Sequence, residues 1–399
     1  MINRPDYIAA IEPFVDKPLV KILAGIRRCG KSTIFEMLRE ELLRRGVGED
    51  QIICKRYTEM DIPENITAKQ MYDELTAVMA GKGHCYLLLD EIQEITGWEK
   101  AVNSLLESAD ADIYVTGSNS KLMSSEISTY LTGRYVSIPV YTLSFKEYLD
   151  FKADSTLSRR ELLEEYIRFG GFPIIALSEY DEQSAYQIVN GIYHTVVSRD
   201  IVKRHRINKQ DLFDRVVKYI IENMGKTFSA NSISTFLKSE HRKVSVESIY
   251  NYLRWLEQAL IIYPCERYDL QGKSILKTQE KYYLADVSLK YALLGYNRKM
   301  LDGAIENIVY LELKRRGYDV YIGKNDTKEI DFVATRRDER IYVQVCVRIP
   351  EASDREVGNL MEIRDHYPKY VVTLNEMDTG IEDGIRIVHL EDFLLAEQW

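Results

Sequence analysis

In AGIRRCGKST, residues 24–33, two glycines enclose four residues, and a lysine and a hydroxyl follow. This spacing suits phosphate. Gly25 and Gly30 free the backbone to turn its N–H groups inward around an anion. A helix beginning near Lys31 adds the positive end of its dipole. Lys31 can reach the β- and γ-phosphates of a nucleotide, and the Ser32 hydroxyl can ligate Mg²⁺. A strand-like run, LVKIL, precedes the loop and an amphipathic run, STIFEMLREELLRR, follows it, which is the context the pattern requires.

Such a loop needs a carboxylate to organise Mg²⁺ and water. CYLLLDEIQ, residues 85–93, reads as a buried central strand ending in Asp90 and Glu91. Both acids emerge at its C-terminal end, where parallel sheets bind ligands. Asp90 can hold the Mg²⁺ shell and Glu91 can take the proton of an attacking water. DIYVTGSNS, residues 112–120, is a further strand ending in small polar residues. Ser118 or Asn119 can sense the γ-phosphate or the water; the alternative is a hydrogen-bonded turn. YLTGRY places Arg134 after a glycine. There it can stabilise charge on the transferring phosphoryl group, in cis or across an interface; the alternative is a surface ion pair. Cys29 lies beside Gly30, where a helix N-terminus lowers thiol pKa. The expectation is a reactive thiol whose alkylation blocks ATP binding; the alternative is a buried, inert cysteine.

An alternation of strand and helix patterns over residues 18–142 positions these groups, as a parallel sheet requires. PLVKILAG, QIICKRY, CYLLLD, DIYVTGS and YVSIPVY read as strands, with AKQMYDELTAVM and WEKAVNSLLESA among the helices. Residues 143–204 read as mostly helical, broken at RFGGFP, where Gly170, Gly171 and Pro173 must end a helix. Residues 211–266 hold three helical patterns and a β-rich run, and residues 303–399 return to α/β. A chain of 399 residues, 45% of them hydrophobic, can bury two or three cores. Its formal net charge of −9 removes a global basic field for nucleic acid and leaves only a local patch as an option. Five scattered cysteines with no C-x-x-C pair argue against zinc and disulfides and suit a reducing cytoplasm. No apolar run approaches membrane-spanning length, so no membrane association is expected.

The order GIRRCGKST, LLLDEIQ, VTGSNS, LTGR and GGFP resembles that of a family of prokaryotic AAA-type ATPases related to the archaeal ATPases. The resemblance spans nearly the whole chain. It implies an N-terminal ATPase module, a winged helix and a C-terminal nuclease-like domain. By this resemblance Gly25, Gly30, Lys31, Ser32 and Thr33 form the phosphate loop, with Cys29 inside it. Asp90 and Glu91 are the Mg²⁺ and water acids, Asn119 is sensor-like, and Arg134 is the basic residue after glycine.

LFDRVVKYIIENMG, ANSISTFLKS and SVESIYNYLRWLEQA have the lengths and spacing of a helix-turn-helix, with LIIYPCERYD and KYYLAD as the wing. DNA binding by the third helix is the first reading. Its charges weigh against that reading. It carries Glu247 and Glu257 against Arg254, with Lys238, Arg242 and Lys243 before it, and phosphate contacts supply most DNA affinity. The alternative is a protein-contact module. After residue 303 the α-β-β-β-α-β order resembles the PD-(D/E)xK nuclease fold. Such a site needs an acid on one strand, then an acid and a lysine two residues apart on the next, to bind metal and activate water. EIDF gives Asp331, with Glu329 on its face, and the preceding helix gives Glu306. In the next strand, VQVCV, Gln344 stands in the acid's position and Cys346 in the lysine's. Gln344 weakens a site for a hard cation, and Cys346 cannot replace an ammonium. Arg348 and Lys314 are candidates for a displaced cation. The expectation is a fold kept for binding, without nuclease activity.

The reading is therefore an α/β multidomain chain. A P-loop AAA-type ATPase domain with a parallel sheet spans residues 1–142, and a helical extension 143–204. A winged-helix domain spans 205–270, and a restriction-endonuclease-like, degenerate domain 271–399. Its expected cofactors are ATP and Mg²⁺, and its expected place is the cytoplasm. Its expected function is a nucleotide-dependent switch read by the winged-helix and nuclease-like domains. DNA and a protein are the candidate partners, and the oligomeric state is left open. One alternative is an ATP-dependent DNA-processing nuclease or DNA-binding protein. Another is an interaction module that binds ATP only for stability.

Overall fold

The computed structural model describes residues 2–59, 62–63, 65–123, 127, 130–131, 133–207, 209–239, 241–242, 244–272, 274–350 and 355–399. The chain divides into two units: Met1–Val140 with Gln258–Leu260, and Tyr141–Glu257 with Ile261–Trp399.

In the first unit, β1 (Val20–Ala24), β2 (Ile52–Arg56), β3 (Cys85–Asp90), β4 (Ala111–Gly117) and β5 (Tyr135–Pro139) form a parallel sheet in the order β2-β3-β4-β1-β5. These are the strands expected from sequence. β1 and β3 are buried along their whole length, which is why both read as near-continuous apolar runs. One exception lies inside β1: buried Lys21 is paired with Asp112 of β4, which also accepts from Tyr114 Oη and the Asp16 N–H. The helices are α1 (Pro5–Ile11), α2 (Lys31–Arg44), α3 (Ala68–Met79) and α4 (Trp98–Ser108). α2 buries Ile34, Leu38 and Leu42, a stripe at helical spacing. α3 starts at a capping box: Thr67 Oγ1 accepts the Gln70 N–H at 3.2 Å, and Gln70 Oε1 accepts the Thr67 N–H at 2.9 Å. Because all strands run one way, every loop leaving a C-terminal end lies on one edge of the sheet.

The second unit begins with α5 (Phe145–Phe151), α6 (Arg159–Phe169), α7 (Pro173–Ala176) and α8 (Glu182–Val196). Three helices follow, α9 (Gln210–Glu222), α10 (Ala230–Ser239) and α11 (Val246–Gln258), and then a hairpin of β6 (Ile262–Asp269) and β7 (Ser274–Leu284). After α12 (Ser288–Leu294) and α13 (Leu301–Arg315) come β8 (Asp319–Asn325), β9 (Lys328–Arg336), β10 (Glu339–Cys346), α14 (Arg355–Met361) and β11 (Lys369–Thr373). β12 (Gly380–Glu382), β13 (Ile385–His389) and α15 (Leu390–Leu395) end the chain. The sheet has the order β12-β13-β11-β10-β9-β8-β6-β7. β8, β9 and β10 are antiparallel, and β11 returns parallel to β10. β6 pairs with β8, so hairpin and C-terminal strands share one sheet. The expected boundary at 270/271 falls in the turn of this hairpin, where the sheet has no break. The basic group before α11 is partly committed, since Arg242 pairs with Asp211 of α9. Lys243 lies outside the described residues.

RFGGFP has a specific structural cause. Gly170 ends α6 at φ 71°, and a Cβ there would lie 1.8 Å from Asp286 Oδ1. The Gly171 N–H donates to Asp286 Oδ2 at 2.8 Å, and Gly171 O accepts the Leu143 N–H at 2.7 Å. Burial pushes the Asp286 carboxyl up, against its hydrogen bonds from Ser288 and Gly171. Pro173 then opens α7, where its missing N–H costs nothing. A Cβ on Gly171 would lie 2.4 Å from Leu143 O, which is backbone and cannot swing aside. Gly171→Ala is therefore expected to destabilise the second unit by about 3 kcal/mol. A thermal midpoint by circular dichroism within a degree of the wild type would contradict the packing argument.

Candidate active site

The loop after β1 enters α2 through Gly30, whose φ of 103° favours glycine. Gly25 has no room for a side chain: a Cβ would lie 2.1 Å from Val140 O. Its N–H donates to Gly117 O at 3.2 Å, which ties the loop to β4. Lys31 is buried and turns its ammonium back over the loop, donating to Gly25 O at 3.0 Å and Ile26 O at 3.3 Å. Ser32 and Thr33 follow in the first turn of α2.

Asp90 ends β3 and meets donors from three directions. Ser32 Oγ donates to Asp90 Oδ2 at 2.7 Å, Arg56 Nε to the same oxygen at 3.0 Å, and Thr116 Oγ1 to Oδ1. Glu91 leaves the strand at φ 56°, a left-handed conformation uncommon for a residue other than glycine. Its N–H donates to Thr116 Oγ1 at 3.0 Å. Its carboxylate lies 3.7 Å from Lys31 Nζ and accepts from Gln93 and Ser118. Burial opposes its charge, but Lys31, Arg27, Gln93 and Ser118 together outweigh burial and hold the carboxyl below its ordinary value. Ser118 and Asn119, both buried, follow β4 at the same edge. Lys31, Ser32, Asp90, Glu91 and Ser118 are thus brought together.

One expectation is narrowed, the action of Arg134 in cis, and one is corrected, the reactivity of Cys29. Arg134 immediately precedes β5, and its carbonyl accepts the Val20 N–H at the start of β1. That is the opposite edge of the sheet, roughly 15 Å from the loop at the rise of a strand. Its guanidinium donates to Asn103 Oδ1 and Glu107 of α4, so it takes no part at this chain's own phosphate loop. Cys29 is fully buried. Burial pushes its thiol up, against the nearby Lys31 and Arg4 charges. Its carbonyl accepts from buried Arg4 Nη1 at 2.8 Å, so α1 braces the loop from behind.

The sequence reading passed over Thr116, Arg56 and Gln93. Arg56 carried the signal that marked Asp90, a charge at the C-terminal end of a parallel strand. Thr116 reads as one more β-former, and its partner becomes visible only when β3 and β4 pair.

In the second unit Asp331 and Glu329 of β9 and Glu306 of α13 do converge. Gln344 is buried between them and α14: its Oε1 accepts the Asp331 N–H at 2.7 Å, and its Nε2 donates to Glu356 Oε2 at 2.8 Å. Burial and Glu306 push the Asp331 carboxyl up to about 7, with Lys281 opposing. The cation in this cluster is Lys281 of β7, rather than Arg348 or Lys314. Cys346 packs into an apolar cluster with Val357 and Leu360.

The sequence family described as an AAA domain matches residues 17–149, and one described as a domain of unknown function matches residues 160–299. An uncharacterized protein of Haemophilus influenzae is 36% identical over 398 residues, covering 99% of both chains. One of Methanocaldococcus jannaschii is 31% identical over 355 residues, covering 85% of this chain and 77% of its own. The chain belongs to their family. Its N-terminal unit is an AAA-type P-loop ATPase domain. A Walker-type ATPase of Pyrococcus abyssi shares the fold at 16% identity, with a TM-score of 0.52 over 73% of this chain and 96% of that one.

The family's AAA fold implies a nucleotide with Mg²⁺, and the residues present fit both. The glycine cradle excludes side chains, an ammonium stands over the loop, and the Ser32–Asp90 pair offers the hard oxygens that Mg²⁺ takes. No described helix of this chain is long and apolar enough to cross a membrane.

The buried thiol yields a direct test. Iodoacetamide is expected to label exposed Cys54 in the folded protein and to leave Cys29 unmodified until the chain unfolds. Mass mapping that finds both modified at similar rates in native buffer would restore the reactive-thiol reading.

Proposed function

We propose that this family member binds Mg-ATP in its first unit, hydrolyses it, and uses the change as a switch read by its second unit. The observation that carries this reading is the Ser32–Asp90 contact of 2.7 Å, with Lys31 and Glu91 beside it. Bound Mg-ATP supplies the electrophilic phosphorus and much of the charge neutralisation. Lys31 and the loop N–H groups hold the phosphates, and Ser32 and Asp90 hold the cation. Glu91, ionised at neutral pH, accepts a proton from water. Ser118 and Asn119 orient that water or register the γ-phosphate. In this reading residues 205–270 form a winged helix, and residues 271–399 a nuclease-like fold that no longer cleaves. The expected setting is the cytoplasm.

A second reading, an ATP-dependent DNA-processing nuclease, draws on the convergence of Glu306, Glu329 and Asp331. Gln344 and the occupied position of Lys281 weigh against it. Plasmid cleavage in Mg²⁺ or Mn²⁺ that is lost in Asp331→Ala would promote it.

Glu91→Gln keeps shape and hydrogen bonding but removes the base. It is expected to bind ATP like the wild type and to hydrolyse it ~10²–10⁴-fold more slowly. Lys31→Ala, by contrast, is expected to lose Mg-ATP binding in calorimetric titration. Unchanged turnover in the first variant would remove Glu91 from the role of base, and unchanged affinity in the second would remove the phosphate-loop assignment.

A further inference from the structure

The acid cluster of the second unit already contains a cation. Lys281 Nζ lies 2.9 Å from Glu329 Oε1, 3.0 Å from Glu306 Oε1 and 3.8 Å from Asp331 Oδ1. Lys281 is 3% exposed, so this charge is removed from water and depends on the three carboxylates. The carboxylates are held from behind by neutral donors: Tyr283 Oη donates to Glu306 Oε1 at 2.6 Å, and the Val345 N–H donates to Asp331 Oδ2 at 2.9 Å. Three carboxylates from a helix and a strand thus face one ammonium, and with it in place no group of three or more His, Cys, Asp or Glu side chains among the described residues is set to hold a metal ion. The ammonium donates to Glu306 and Glu329 at hydrogen-bond distance and faces Asp331 as an ion pair.

We propose that Lys281 is the built-in cation of this cluster, standing in the place of a divalent ion among Glu306, Glu329 and Asp331. The arrangement makes the fold metal-independent and pins β7 to α13 and β9. A tethered ammonium competes with a free ion at very high effective concentration, and both charges cannot share the same oxygens. An ammonium committed to three carboxylates also offers nothing to a phosphate, so Lys281 does not rebuild a nuclease. The proposal deepens the reading of residues 271–399 as a fold that does not cleave, and stands on the cluster's geometry rather than on the ATP site.

The test is Mn²⁺ titration of the full chain without nucleotide, read by the free-ion signal in electron paramagnetic resonance. Any Mn²⁺ at Ser32 and Asp90 is a baseline common to all variants. The wild type is expected to show no site that depends on Asp331. Lys281→Met is expected to gain one Mn²⁺ equivalent and to lose it again when Asp331→Asn is added. Its thermal midpoint, lowered in EDTA, is expected to rise by roughly 5 °C in saturating Mn²⁺. If Lys281→Met does not fold, Lys281→Gln, whose amide can still donate to the carboxylates, is titrated in its place. A folded variant with no added site overturns the proposal. So does failure of both variants to fold in Mn²⁺, because the ion should replace the ammonium. A wild-type Mn²⁺ site lost in Asp331→Asn overturns the tethered cation alone, whereas Asp331-dependent cleavage overturns the non-cleaving reading as well.

Discussion

A buried carboxylate has to be given donors, and in the first unit that requirement falls on Asp90. Its donors come from the helix after β1, from β2 and from β4. The strand order makes this reachable, since β2 and β4 flank β3 and β1 lies just beyond β4. Register follows from the same constraint. A one-residue slip of β4 would turn the Thr116 hydroxyl to the other face and leave Asp90 short of a partner. That hydroxyl also accepts the Glu91 N–H and so holds the strained turn that presents Glu91. Both acids are positioned by one threonine.

The two acid centres of the chain handle charge in opposite ways. Around Asp90 and Glu91 the cations differ: Arg56 is 44% exposed on its side chain, and Lys31 is buried and hydrogen-bonded to loop carbonyls. Under the proposed function these groups exchange partners when phosphate and Mg²⁺ bind. Around Asp331 the cation is fixed near the C-terminal end of the paired strand β7, with its side chain 4% exposed. Exchange there would leave three carboxylates facing one another out of water, a state that buried ion pairs lose stability by entering.

Much of this was legible in the sequence. The glycine spacing, the apolar run ending in two acids and the alternation of strands and helices all depend on local residue order, and each led to the observed element. That Arg134 lies away from this chain's own phosphate loop was not legible, because glycine followed by arginine says nothing about which edge of a sheet it occupies. That depends on β5 pairing parallel to β1. Cys29 misled because position beside a helix start does not report burial, and α1 covers the loop from more than twenty residues upstream. Lys281 was invisible for a related reason. It sits in KYYLAD, a stretch read for its strand character, and its partners lie 25 and 48 residues further on.

The cluster also bears on the hairpin that was read as a wing. In a nuclease of the resembled kind the lysine stands two residues beyond the acid, and here that position is Cys346, packed among apolar side chains, where burial pushes the thiol up to about 12. The ammonium therefore comes from across the sheet, on β7. The consequence is that both ends of the hairpin are committed. Near its base Lys281 is held by the acids, and toward its tip residues 267–269 of β6 pair with residues 322–324 of β8. These strands cannot leave without breaking the sheet, so only the turn between them is free to reach outward. The face of α11 that carries Tyr250 and Arg254 is exposed, and no strand pairing ties it as β6 is tied to β8.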